Sequence, residues 1–274
     1  MNRIGRWLHM PKSLLLMVVL FISLIAIPSA YADNHDEITP GLFGTSILEG
    51  WSKSVGVSVS GSDGNTSETK FIADTKGDYE NDRHRMSFKG QFYLSKPDSP
   101  DDAGPKPRTD RKAFAEFEEN WKPFDNDFYF IGTMRYDYDR FLLSKHRISP
   151  SAGVGTTLIS TEDLKVRGSV GAGLSHTWDT MGDTIPEGMV RVGGDYNVTK
   201  GVTFTTTHTY YPNFDETGEL RIISDAELKA DIGEEGGLTA SIGLNNEYDT
   251  TADDIDKNIE RNDLTYFLRL GYDF

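Results

Sequence analysis

Ionisable residues recur at alternate positions through much of this sequence, and that spacing is where chemistry first becomes legible. Arg135 with Asp137, Arg167, Arg191 with Asp195, Arg221 with Asp225, Glu227 and Lys229, Glu247, and Arg269 with Asp273 all sit in stretches whose intervening positions are apolar or small. In an extended chain, residues two apart share one face. Facing rows of both signs across a narrow, water-filled bore would select small charged solutes. The same rows could instead pair with one another and only support a wall.

Nucleophile chemistry is the second candidate. A serine must lie within hydrogen-bond reach of its base. Ser175 and His176 are neighbours in sequence, so on a strand they point to opposite faces and that pair fails. His176 and His208 fall on the apolar side of their segments near the strand ends. Only a serine from another strand, such as Ser224, could serve either of them. Histidines without chemistry are the simpler reading, so no catalytic residue is assigned and the chain reads as a non-enzyme. A lipid-modifying enzyme with its site at the rim is kept as an alternative.

Metal and cofactor chemistry find less. The acidic stretch with Asp249, Asp253, Asp254, Asp256 and Glu260 has carboxylates suited to a hard cation, but not the spacing of a complete calcium loop. Asp63-Gly64-Asn65 reads as a hairpin turn. Without a phosphate-cradling glycine loop, a Walker-type lysine or a zinc-ligand spacing, no cofactor and no metal are expected.

The elements that must carry these residues are strands. Val55, Val57 and Val59 alternate with Gly56, Ser58 and Ser60. Leu264, Tyr266, Leu268, Leu270, Tyr272 and Phe274 alternate with Thr265, Phe267, Arg269, Gly271 and Asp273. Such alternation predicts strands with one apolar and one polar face. Strands are expected at 51–61, 65–76, 82–95, 112–122, 127–138, 146–159, 164–178, 187–198, 201–211, 219–232, 237–248 and 263–274. That is about twelve, each near the length a tilted membrane strand needs.

The intervening segments alternate in length. Those at 77–81, 123–126, 160–163, 199–200 and 233–236 are short; those at 96–111, 139–145, 179–186, 212–218 and 249–262 are mostly longer, except that the first of that set, Ser62-Asp63-Gly64-Asn65, is also tight. Short turns at one end and longer loops at the other are expected of an up-and-down barrel in a bacterial outer membrane. A soluble, ligand-binding β-sandwich has no reason to sort its loops this way, and it is the remaining alternative. On the apolar face, Trp51, Trp121, Tyr136, Trp178, Tyr196, Tyr210, Tyr248 and Tyr272 lie near strand ends. Amphipathic rings favour the headgroup level, so these residues predict aromatic girdles.

The N-terminus fits an exported chain. Arg3, Arg6 and Lys12 precede an apolar run from Leu14 to Ile27, and Ala30 and Ala32 offer small residues for cleavage. The expectation is a signal peptide over 1–32, a short periplasmic segment over 33–50 and the barrel over 51–274. The chain has no cysteine, so no disulfide is possible. Its net charge is −15, which argues against nucleic acid as a partner. The expected partners are outer-membrane lipid and lipopolysaccharide, with small solutes or ions in the lumen.

Several short motifs carry a family resemblance: Gly50-Trp51, the Val/Gly/Ser strand to Gly61, Gly64-Asn65-Thr66, Tyr136-Asp137-Tyr138-Asp139-Arg140-Phe141, Gly153-Val154-Gly155 and Gly171-Ala172-Gly173. The chain resembles the YdiY-like family, domain of unknown function 481, whose members are often labelled salt-induced outer-membrane proteins. The resemblance implies an outer-membrane barrel and no activity. Leu268, Leu270, Tyr272 and the final Phe274 resemble the C-terminal signal read by the barrel assembly machinery. Together these readings predict an all-β, transmembrane, antiparallel up-and-down barrel of about twelve strands, serving as a narrow passive channel or a structural envelope component.

Overall fold

The computed structural model describes residues 50–63, 68–97, 110–139, 146–178, 183–233, 237–252 and 261–274. The expected signal peptide, the segment after it and most of the acidic loop lie outside the described residues.

The strands are β1 (Ser52–Asp63), β2 (Glu68–Glu80), β3 (His84–Pro97), β4 (Asp110–Trp121), β5 (Phe128–Asp139) and β6 (His146–Ser160). They continue as β7 (Leu164–Trp178), β8 (Asp183–Thr199), β9 (Val202–Pro212), β10 (Leu220–Asp231), β11 (Leu238–Asp249) and β12 (Asn262–Asp273). Each pairs antiparallel with its neighbours in sequence, and β1 pairs with β12 to close the barrel. A single closed sheet excludes the two-sheet sandwich. The seam runs from Ser54↔Asp273 to Asp63↔Leu264. At its end, Lys53 and Phe274 exchange backbone hydrogen bonds of 3.0 and 2.8 Å.

Alternation decides which side of each strand faces outward. Val57, Phe71, Val170, Ile242 and Leu268 are exposed, with Leu268 at 64 %. Their inward neighbours Ser58, Lys70, Ser169, Ser241 and Arg269 are buried. This arrangement reverses that of a soluble protein, and it is stable only where the outer solvent is hydrocarbon. Rings gather where the apolar band ends. Trp121 lies 5.7 Å from Phe130 and Trp51 lies 5.8 Å from Tyr79 at the end holding both ends of the barrel chain, here the near end. His146 stacks on Trp178 at 5.8 Å, with Tyr136 beside them, at the far end.

Two boundaries differ from the sequence expectation. Gly77-Asp78-Tyr79 reads as a turn, yet β2 runs on to Glu80, because the Trp51 ring covers Gly77 and packs the missing side-chain space. The turn falls instead at 81–83, where Asn81 Oδ1 accepts the N–H groups of Arg83 and His84 at 2.9 and 2.7 Å. Likewise Asp183–Pro186 reads as loop, but it pairs with Leu174–Thr177 and begins β8. Pro186 keeps a useful carbonyl there, which accepts the Phe214 N–H at 2.9 Å.

Candidate functional site: the ion-paired lumen

The lumen is built by the inward half of every strand. All the ions singled out by their spacing lie on that wall, and they divide between two cavities or bury in pairs. Arg167, Arg191, Asp195, Asp225, Glu227, Lys229, Arg269 and Asp273 line a cavity of about 790 Å³ toward the near end. Arg135, Asp137 and Glu247 line one of about 100 Å³ toward the far end. Phe114 and Asn245 border both, so they mark the partition. Arg221 is buried against Glu187, Nη2 to Oε2 3.3 Å.

Opposite signs meet across the bore rather than standing in separate rows. Arg191 of β8 bonds Glu116 and Glu118 of β4 at 3.0 and 2.9 Å. Glu116 also accepts from Arg135 at 3.1 Å, and Arg135 chelates Asp137 on its own strand. Lys76 of β2 pairs with Glu227 of β10. Arg167 bonds Asp195 at 2.9 Å, and Lys229 bonds Asp273 at 2.8 Å. Arg269 donates to both oxygens of Asp74, with side chains only 3 % and 1 % exposed. Asp225 accepts from Asn245 at 2.7 Å. Charges this deep need such partners, since an unpaired one would be costly.

Sequence reasoning missed a third of these inward ions. Lys70, Asp74, Lys76, Glu116, Glu118 and Glu187 are inward and buried or half-buried, and their parity within β2, β4 and β8 is the signal that finds them. It also missed an apolar cluster inside the barrel. Tyr129, Ile131, Met189, Tyr211 and Ile223 form a buried cluster on the inner wall. The Arg221 guanidinium sits 4.5 Å over the Tyr211 ring, and that of Arg135 sits 4.2 Å over Phe114. Gly155 makes room for this cluster: a β-carbon there would run into the Tyr129 ring.

The histidines of the outer face divide. His176 bonds Thr184 at 2.7 Å, and Ser175 is buried on the inner side, as their parity requires. His208 instead meets Ser224 of the next strand, Nδ1 to Oγ 3.0 Å. Leu268, Leu270, Tyr272 and Phe274 present one exposed apolar row along β12.

The family model described as "Protein of unknown function, DUF481" matches residues 55–274, which is all of the barrel but the first three residues of β1. The chain belongs to the DUF481 family. This DUF481 chain matches no curated protein sequence. Among solved structures, a NanC porin is similar with a TM-score of 0.47 at 13 % identity, covering 80 % of this chain and 98 % of that one. A KdgM porin has a TM-score of 0.46 at 10 % identity, covering 81 % and 99 %. The translocator domain of autotransporter NalP from Neisseria meningitidis has a TM-score of 0.46 at 8 % identity, covering 96 % of each.

Proposed function

We propose that this DUF481 protein is an outer-membrane channel of low conductance for small ions or charged solutes. The observation that carries the reading is the form of its lumen. Two charged cavities open from a partition crossed by Arg191–Glu116 and flanked by the Arg135 and Phe114 pair. A barrel serving only as a wall has no need of polar cavities at both mouths. The partition keeps the passage narrow, so large solutes are excluded and the field of the paired ions acts at short range. The closed sheet with its apolar band supports the membrane location. The β12 row ending in Phe274 suits recognition by the barrel assembly machinery, and lipid and lipopolysaccharide contact the outer face.

The test is single-channel conductance of the folded protein in planar bilayers. Small discrete steps are expected. Arg191→Ala removes a cation from the partition, so it should enlarge the steps and shift selectivity toward cations. Silence from both the parent and this variant, in barrels that migrate as folded, would overturn the channel and leave a sealed structural barrel, which the Tyr129–Ile223 cluster would then explain.

A further inference from the structure

The apolar outer face carries a polar row across three neighbouring strands. In the sheet register Ser224 of β10 pairs laterally with His208 of β9 and with Asn246 of β11. All three point outward, because their strand neighbours Thr209, Ile223 and Asp225, and Asn245 face the lumen. Polar side chains on a lipid-facing wall are costly unless they pair or act.

The hydrogen bonds select the tautomer of the neutral ring. Thr206 Oγ1 donates to the Asp225 carbonyl at 2.9 Å, so its single hydrogen is committed. It can therefore only accept from His208 Nε2, 3.1 Å away. Nε2 therefore donates to Thr206, and in the neutral ring this leaves the Nδ1 lone pair facing Ser224 Oγ at 3.0 Å. In that tautomer Ser224 donates to the ring, whose far side is held by Thr206. That is the relation of a nucleophile to its general base. On the other side of Ser224, Asn246 brings an amide. Its Oδ1 is buried and has no hydrogen-bond partner among the described residues. Directly opposed residues place their Cβ atoms about 4.5–5.5 Å apart, so the Asn246 NH₂ can reach an oxyanion forming at Ser224.

Depth selects the substrate. The next outward-facing row toward the far end is Tyr210, Ile222 and Tyr248, paired in the register. Those tyrosines belong to the girdle at the headgroup level. The His208–Ser224–Asn246 row lies two residues deeper, roughly 7 Å along the strand and less with tilt. That is the level of the ester carbonyls that join acyl chains to a lipid backbone.

We propose that Ser224, His208 and Asn246 form a membrane-facing acyl-ester hydrolase site, with Thr206 as a positioning residue. Ser224 Oγ attacks the ester carbonyl of a membrane lipid while its proton passes to His208 Nδ1. The tetrahedral oxyanion is held by the Asn246 amide. It collapses by releasing the lipid alcohol, which takes the proton from His208, and leaves the acyl chain on Ser224. Water, activated by His208, then attacks this ester and frees the fatty acid and the serine. The site needs the barrel in a bilayer but not an open lumen, so its failure and that of the channel are separable by assay.

The intact exported protein, reconstituted into phosphatidylcholine vesicles or into vesicles containing lipopolysaccharide, should release fatty acid. A long-chain alkyl fluorophosphonate should label Ser224. Ser224→Ala and His208→Ala should each lower both signals by at least about a hundredfold, while the barrel still migrates as folded. Thr206→Val should lower kcat more than it changes KM. Release from only one vesicle type supports the site and names the lipid. No release and no label from the folded parent in either vesicle would overturn it, as would labelling that survives Ser224→Ala. So would a change of oligomeric state on His208→Ala without hydrolysis in the parent, since the row would then be a protein contact.

Discussion

Arg191 on β8 reaches Glu116 on β4 at 3.0 Å, although β4 and β8 share no ladder. Glu116 holds Arg135 with its other oxygen at 3.1 Å. One carboxylate therefore ties three strands across the bore. Removing it leaves Arg191 to Glu118 and Arg135 to Asp137, each with one carboxylate fewer at a partly dehydrated site.

Glu116→Ala should destabilise the folded barrel by about 1.5–3 kcal/mol, the cost of losing hydrogen bonds to charged groups whose other partners remain. Adding Arg191→Ala should cost less than the sum of the two single changes, because the groups share one network. Urea titration in lipid vesicles, followed by tryptophan fluorescence, measures both. Additive effects would mean that the pair carries no coupling.

Leu268 is 64 % exposed in the middle of β12. In water an arginine there would be harmless. In a bilayer Leu268→Arg should cost about 2–4 kcal/mol, seen as a lower unfolding midpoint in the same titration. A neutral result would contradict the lipid-facing assignment of this wall.

Gly155 faces the Tyr129 ring across the β5–β6 ladder. Gly155→Val should push that ring into the lumen and destabilise the barrel by about 1–3 kcal/mol, as overpacking does. Pairing the change with Tyr129→Ala should restore the midpoint. If the double variant is no better than the single, the clash is not with Tyr129.

Phe274 closes the seam through its two backbone bonds to Lys53. Deleting it should lower stability in vitro by about 1–3 kcal/mol, since each hydrogen bond is worth about 1 kcal/mol net. If the proposed recognition by the assembly machinery holds, assembly in cells should fall much further, because the outward row of β12 loses an aromatic. Equal, small losses in vitro and in cells would argue against recognition at this end.

Much of the architecture was legible in the period-two alternation. Val55 to Ser60 and Leu264 to Asp273 show their faces without any partner, because a strand's side chains must point to opposite sides. The two misplaced boundaries have local causes. Gly77 and Pro186 look like breakers, but a covering Trp51 ring and a barrel-end position make them acceptable strand residues.

The sequence by itself determined that this chain forms about twelve two-faced strands, which residues face inward, and where the apolar band lies, since each depends only on local parity. Pairing was left to the tertiary structure. Closure and register decided that Arg191 meets Glu116, that Tyr129, Ile131, Met189, Tyr211 and Ile223 form one buried cluster, and that His208 stands beside Ser224 and Ser224 beside Asn246. The physical reason is that parity assigns a face, whereas a contact between strands depends on the shear and twist of the whole closed sheet, which no single segment encodes.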